Sequence, residues 1–457
     1  MPSPVPTAPP SVEEARRLMC AIVAATRAAR AEAGSAPPEV EEVALGDSLH
    51  RTLAEPLIAP RAQPPYRSSA MDGFALPLEG LEPAAALAVL GEAAAGNPWS
   101  GILGPQQAVR IFTGAPVPAG ATAVIAQERT HRADAAAGPR SAAGPRSAAG
   151  PHSAAGPRSA AGPGEPLYLD PEAAAALAPG TNIRSIGADF SAGAELLAAG
   201  TRLHARHLAL IAAAGFGSLR VRRRPRIALL ANGNELRAPG EPAGPFEIYD
   251  SVTPGLGALI AEWGGTARPA GTAQDSELAI ETAARRAMEE SDLLVIVGGA
   301  SVGDYDLVKR SLAAAGLDLA VSSISVRPGK PTWFGTLPDA KRALPVLGLP
   351  GNPAAAFVCS QLFLRPLIDT LLGATRTPVA VIAALEGHLP ATGAQAQYLR
   401  ASARVSPDAR LVVRPDPRQD TSLVSVFAHA NALIRRPPHE PGASWGSFVE
   451  VLLLESL

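Results

Sequence analysis

Between Arg226 and Leu372 the chain repeats one pattern: a short, continuously apolar run, a break rich in glycine or proline, then residues apolar at helical spacing. The runs are "RIALLA", "DLLVIVGG" and "ALPVLGLPGNP". The helical stretches are "SVTPGLGALIAEWGG", "SELAIETAARRAMEE", "YDLVKRSLAAAG" and "AAAFVCSQLFLRPLIDTLLG". Strands apolar at every position have both faces covered, and strand-to-helix alternation marks a parallel sheet with helices on each side. The pattern predicts a doubly wound α/β domain at the centre of a multidomain chain.

The flanks read differently. Ser11 followed by Glu14 is a capping-box pattern opening "SVEEARRLMCAIVAATRAAR", so a long amphipathic helix begins the fold. From Val43 to Ala126 short apolar runs broken by Gly and Pro predict a small β-rich domain, and the last 80 residues, ending in "SFVEVLLLE", predict a second. Between them a six-residue unit, "GPRSAA", repeats four times from Gly138 to Ala161, with His152 replacing Arg in the third copy. It holds no bulky apolar residue and cannot offset the entropy of ordering, which predicts a disordered insertion in a hairpin loop.

In a doubly wound sheet ligands sit past the carboxyl ends of the strands. Three turns there carry the right composition: "ANGNEL", "VGGASVG" and "GLPGNP". Glycines let backbone N–H groups approach an anion, so these turns point to a phosphate or pyrophosphate. "VGGASVG" is neither a dinucleotide fingerprint nor a Walker loop, which argues against ordinary NAD or ATP folds. Glu235, Asp250, Asp275, Asp304 and Asp306 fall at the same strand ends, where oxygen ligands suit Mg²⁺ bridging phosphates. Asp275, which opens a helix, equally suits a helix cap. "VRPGKPTWFG" sets Arg327 and Lys330 around a rigid turn suited to an oxyanion.

Composition narrows the partners. A net charge of −2 leaves nucleic acid or an acidic membrane dependent on a basic patch, and the one candidate, "RVRRRPR", reads as a solvated edge leading into a strand. Cys20 and Cys359 lie far apart in apolar helical patterns and read as buried thiols. Lacking a signal-like N-terminus and an 18-residue uncharged apolar run, the chain is expected in the cytoplasm.

The motifs "PPYRSSAMDGFAL", "IFTGAPVPAGATAVIAQE", "GTNIRSIGADFSAG", "GGASVGDYD", "RPGKP" and "GLPGNP" occur in the order seen in molybdopterin molybdenumtransferases, the family that includes the C-terminal domain of gephyrin. The resemblance runs from about residue 11 to the C-terminus, the repeat excepted. It implies an elongated helical and β linker domain at 11–45 with 183–222, and a β-barrel-like domain at 46–182 carrying an insertion at 133–165. It also implies an α/β molybdopterin-binding domain at 223–374 and a C-terminal β-domain at 375–457. The implied protein is a homodimer with its active site shared between subunits, using Mg²⁺ to take adenylylated molybdopterin and molybdate to molybdenum cofactor and AMP. A molybdopterin adenylyltransferase upstream and recipient molybdoenzymes downstream are the implied protein partners.

Matched by motif, Asp72, Thr113, Arg184 and Asp189 are similar to the positions contributed across the dimer. Glu235, Asp275 and Asp306 match the acidic, metal-holding positions, and Glu235, Asp275 and Lys330 the catalytic ones of the sheet domain. Gly298, Gly299, Ser301, Asp304, Arg327, Pro350, Gly351 and Asn352 match the cofactor-binding turns. Arg400 in "YLRASA" is similar to a molybdate ligand. The chain departs from the family pattern at Thr122, Ala188, Asn234, Val252, Ser276, Arg327 and Ala355, mostly by losing a carboxylate or hydroxyl. A scaffolding paralogue that has lost turnover is the alternative those losses favour. A nucleotide enzyme of unrelated chemistry leaves the N-terminal motifs unexplained.

Overall fold

A computed structural model describes residues 8–32, 39–132, 162–299, 307–338, 343–374 and 380–455. By their contacts the residues divide into two compact units, one of Met1–Glu55, Ala198–Leu208 and Gly217–Leu457, the other of Pro56–Leu197 and Ala209–Phe216. The repeat, with Ser301, Asp304 and Asp306, lies outside the described residues.

In the first unit the apolar runs form a six-stranded sheet. Its order is Thr266–Ala273, Arg226–Asn232, Leu293–Val297, Ala343–Leu349, Trp333–Pro338, Asp318–Val321. The first four strands are parallel, as expected. Trp333–Pro338 runs antiparallel to Ala343–Leu349 because only four residues separate them, and a parallel pairing needs a crossover of a dozen or more. Successive residues of one strand serve two cores. Ile227 and Leu229 pack with Leu256 and Ile260 of the helix Val252–Glu262, whereas Ala228 and Leu230 pack with Ile280 and Ala284 of Glu277–Glu290.

The opening helix, Val12–Glu32, carries the expected box: the Glu14 N–H donates to Ser11 Oγ at 3.3 Å and the Ser11 N–H to Glu14 Oε2 at 2.9 Å. Val12, Ala15, Met19 and Val23 join the first core. The helical run Pro353–Leu372 is apolar and long enough to cross a membrane, yet two thirds of it is buried inside the fold, where a core helix has the same composition. Cys359 on this run is buried and burial pushes its thiol up to about 12, while Cys20 is half-buried; both are free thiols. The "RVRRRPR" segment is solvated only at Arg220; its other arginines are partly buried. Arg223 pairs with the buried Asp292 at 3.1 Å and Arg222 with Glu39 at 3.6 Å.

The C-terminal strands close on themselves. Ala396–Val405 pairs with both Leu411–Pro415 and Ala432–Arg436, and Val381–Leu385 and Phe448–Leu453 complete the ring. Val326–Arg327, which precedes the basic turn, adds to this sheet beside Ala396 and Gln397. The turn is thereby fixed to the C-terminal strands although its sequence belongs to the α/β region.

The second unit is built on a mixed six-stranded sheet ordered Ala123–Ala126, Gly73–Leu76, Gln107–Ile111, Leu87–Ala93, Pro166–Leu169, Thr130–Arg132. Thr130–Arg132 and Pro166–Leu169 are antiparallel, with Arg132 opposite Leu167, so the repeat is inserted between the strands of a hairpin.

Candidate functional site

Three turns meet at Gly298. Its N–H donates to the Leu349 carbonyl at 3.2 Å, tying the end of one central strand to the next. A Cβ at Gly298 would lie 2.3 Å from the Asn232 carbonyl oxygen, and one at Gly299 only 2.5 Å from Asn232 Oδ1 and 2.2 Å from Val308 Cγ2. Both glycines have positive φ, 96° and 64°. No other residue fits there, because the conformation and the space each exclude a side chain. Gly351, from "GLPGNP", comes close enough that its own Cβ would sit 3.3 Å from Gly298 Cα. The structure thus brings together Gly298, Gly299, Pro350, Gly351 and Asn352 at the carboxyl end of the sheet, where a doubly wound fold holds its ligand.

The carboxylates sort into two kinds. Asp250 is a cap, accepting from the N–H groups of Val252 and Thr253, each at 3.1 Å. Asp275 is not a cap; Ser276 does that work, its Oγ accepting from the Ala279 N–H at 3.2 Å. Asp275 instead joins the neighbouring turn. Its N–H donates to Asn234 Oδ1 at 3.0 Å and its Oδ2 accepts from the Asn234 N–H at 3.3 Å. Glu235 is exposed beside it, its carboxylate folded over Gly233. Among the described residues no cluster of three metal-ligating side chains is assembled. Two exposed carboxylates on adjacent strand ends nevertheless fit Mg²⁺, which keeps several waters and takes one or two protein carboxylates beside substrate phosphates.

Arg327 and Lys330 are exposed on the basic turn and make no ion pair among the described residues. The turn is rigid underneath: Gly329 has φ of 114°, and a Cβ there would lie 2.1 Å from Cys359 Sγ.

Arg400 is the unusual member. It is 1% exposed, and no carboxylate among the described residues pairs with it. Its Nη2 donates to the carbonyls of Arg418 at 3.3 Å and Asp420 at 3.0 Å, while its buried Nε has no hydrogen-bond partner among the described residues. Burial pulls the guanidinium below its ordinary value, opposed by Asp416 and Asp420.

The loop around Arg400 carries no sequence signature and was not anticipated. Gln419 clamps the Arg400 backbone, accepting its N–H at 3.1 Å and donating to its carbonyl at 2.9 Å. Thr421 reaches the "GLPGNP" turn, accepting from Asn352 Nδ2 at 2.9 Å and, through its carbonyl, from the Ala354 N–H at 3.0 Å. Ala355, one of the departures from the family pattern, is 3% exposed inside the helix.

In the second unit, Asp72 Oδ1 accepts from both the N–H and the hydroxyl of Thr113, and these bonds hold its carboxyl below the usual range. Arg184, opposite Ser68 in the short pairing of Ile183–Arg184 with Ser68–Ser69, and Asp189 on the segment that follows are both exposed. No hydrogen bond or ion pair among the described residues joins them to Asp72 or Thr113.

A doubly wound sheet whose glycine turns converge at its carboxyl end defines an α/β protein with its ligand site there. Comparison with known proteins makes the class specific. Residues 10–215 match the MoeA N-terminal region (domain I and II), residues 228–370 a probable molybdopterin binding domain, and residues 383–454 the MoeA C-terminal region (domain IV). The chain is 32% identical over 422 residues to a molybdopterin molybdenumtransferase of Bacillus subtilis, covering 91% of this chain and 90% of that one. It is 30% identical over 423 residues to one from Nostoc sp., covering 91% and 89%. A crystal structure of the molybdopterin biosynthesis MoeA protein of Pyrococcus horikoshii superposes with a TM-score of 0.74 at 26% identity, over 98% of this chain and all of that one. The chain belongs to the molybdopterin molybdenumtransferase family and is a transferase of molybdenum cofactor biosynthesis.

Proposed function

We propose that this chain inserts molybdenum from molybdate into adenylylated molybdopterin, with Mg²⁺-dependent release of AMP. The observation that carries the proposal is Arg400: a buried guanidinium that, among the described residues, has no partner on Nε and no ion pair, one loop away from the glycine turns. That arrangement suits a compact tetrahedral oxyanion such as molybdate, which offers several acceptor oxygens and no donor.

The remaining residues supply positioning and charge. The turns at Gly298, Gly299 and Gly351 admit a phosphate group close to backbone, and Arg327 and Lys330, which make no ion pair among the described residues, neutralise it. Glu235 and Asp275, with Asp306, would hold Mg²⁺, which neutralises phosphate charge when bound. The placement of Glu235 and Asp275 on adjacent strand ends, with Asp275 fixed by its exchange of hydrogen bonds with Asn234, supports that role. No side chain is required as a covalent nucleophile; water or a molybdate oxygen attacks phosphorus, and rate comes from orientation and charge neutralisation.

We take the active assembly to be a homodimer in which Asp72, Thr113, Arg184 and Asp189 of one subunit serve the site of the other. Two free thiols are in keeping with a cytoplasmic setting. Crystals soaked in tungstate, an anomalous scatterer of the same shape, test the central assignment. A peak within hydrogen-bond distance of Arg400 Nε is expected, and a peak only at Arg327 and Lys330 contradicts it.

A further inference from the structure

The loop Arg418–Ser422 touches both the buried arginine and the glycine turns. Arg400 Nη2 holds it from one side through the carbonyls of Arg418 and Asp420. Thr421, the next residue, holds the "GLPGNP" turn from the other through Asn352 Nδ2 at 2.9 Å and the Ala354 N–H at 3.0 Å. The loop has little freedom of its own. Asp420 Oδ1 accepts from the Ser422 N–H and hydroxyl at 2.9 and 2.8 Å, and Gln419 Nε2 donates to the carbonyls of Arg400 and Asp416 at 2.9 and 2.7 Å. Just behind it, Phe427 stacks on Phe357 of the helix that the turn opens, ring centroids 4.8 Å apart.

Asn352 occupies the position of a helix cap, yet its side chain makes no cap bond to its own helix. Its amide is directed outward to Thr421, and the Ala354 N–H, which an ordinary cap would take, goes to the Thr421 carbonyl. The start of this helix is therefore positioned by the C-terminal strands' loop rather than by local sequence.

We infer that Thr421 is a positioning residue that couples an oxyanion at Arg400 to the Gly351–Asn352 turn. The inference rests on the assignment of Arg400 to the oxyanion. An anion on the spare Nε–H fixes the guanidinium, whose Nη2 holds the Asp420 carbonyl, and the adjoining Thr421 then holds Asn352 and Ala354 more firmly. Linkage is reciprocal: a phosphate group that orders the turn raises affinity for the oxyanion by the same factor. The two substrates of the proposed reaction would thus favour each other's binding before any chemistry occurs.

Hydrogen–deuterium exchange of the full-length protein, with molybdate as the only added ligand, tests this. In the wild type molybdate slows exchange in segments 416–424 and 350–357 alike, by about fivefold, the lower end of typical couplings. Thr421→Val keeps the carbonyl bond but removes the hydroxyl that Asn352 needs, so slowing in 350–357 falls by about half or more while 416–424 still responds. Thr421→Ser restores it, which a general packing defect would not allow. A wild-type response confined to 416–424, or a Thr421→Val response equal to the wild type in 350–357, overturns the coupling and leaves the oxyanion site standing. No response in either segment overturns the Arg400 assignment, and the coupling with it.

Discussion

Asp72 Oδ1 accepts two hydrogen bonds from one residue, the N–H and the hydroxyl of Thr113, each at 2.8 Å. These bonds favour the ionised carboxylate and lower its pKa. A depressed carboxylate contributes stability that is fully present above the unfolded value, about 3.9, and is lost as pH falls through the folded one. Asp72→Asn should therefore melt below the wild type at pH 7, with the gap closing below about pH 4. Thr113→Ala keeps the N–H bond and should raise the Asp72 pKa only part of the way, which carboxyl-carbon NMR titration measures.

The proposed sharing of residues between subunits is open to complementation. Asp72→Asn and Lys330→Met should each be nearly inactive alone. If the two residues serve a site from different subunits, random mixing makes half the dimers heterodimeric with one intact site, so about a quarter of wild-type activity returns. If both residues act from one subunit, each subunit of the heterodimer keeps its own defect and no activity returns, and a linked tandem dimer bearing both changes in one half gives the converse test. The tandem should lose all activity under sharing and keep half otherwise.

Asn234 and Asp275 exchange backbone-to-side-chain hydrogen bonds across two adjacent strand ends. Asn234→Asp can accept the same Asp275 N–H and adds a carboxylate beside the proposed Mg²⁺ position. One further unit charge about 4 Å from a dication in water is worth about 2 kcal/mol, so half-saturating Mg²⁺ should fall on the order of thirtyfold. An unchanged Mg²⁺ titration would place the dication elsewhere.

The hairpin Thr130–Arg132 with Pro166–Leu169 keeps its own register, anchored by an Arg132–Glu165 ion pair at 2.9 Å. Deleting 133–161 leaves Gly162–Glu165, four residues, within the range of ordinary hairpin loops. Shortening a 33-residue connection to four is three halvings, each worth about 0.6 kcal/mol of closure entropy. The deleted protein should melt no lower than the wild type and up to a few degrees higher. A lower melting temperature would show that the repeat makes native contacts.

How much of this was legible depended on whether a feature is local. The Ser11–Glu14 box and the fully buried strand Leu293–Val297 were readable because a cap spans three residues and a two-faced strand is apolar throughout. The glycine turns were readable as anion sites, although their mutual contact at Gly298 was not, since it joins residues distant in sequence. Asp250 looked like a ligand and is a cap; Asp275 looked as much like a cap as a ligand and is joined to Asn234. Composition cannot separate the two, because both place a carboxylate at a helix start. The isolation of Arg400 and the strap from Thr421 to Asn352 exist only once the C-terminal strands close, and no spacing in the sequence encodes them.

The central claim is a reaction, and release of AMP from adenylylated molybdopterin reads it directly. With purified protein and Mg²⁺, AMP should appear only when molybdate is added, at a rate that saturates with molybdate. Arg400→Met should raise half-saturating molybdate by at least tenfold, since it removes a charged donor worth roughly 1.5–3 kcal/mol. Tight binding of adenylylated molybdopterin without AMP release, at any molybdate concentration, would contradict the account and leave a binding protein in place of a transferase.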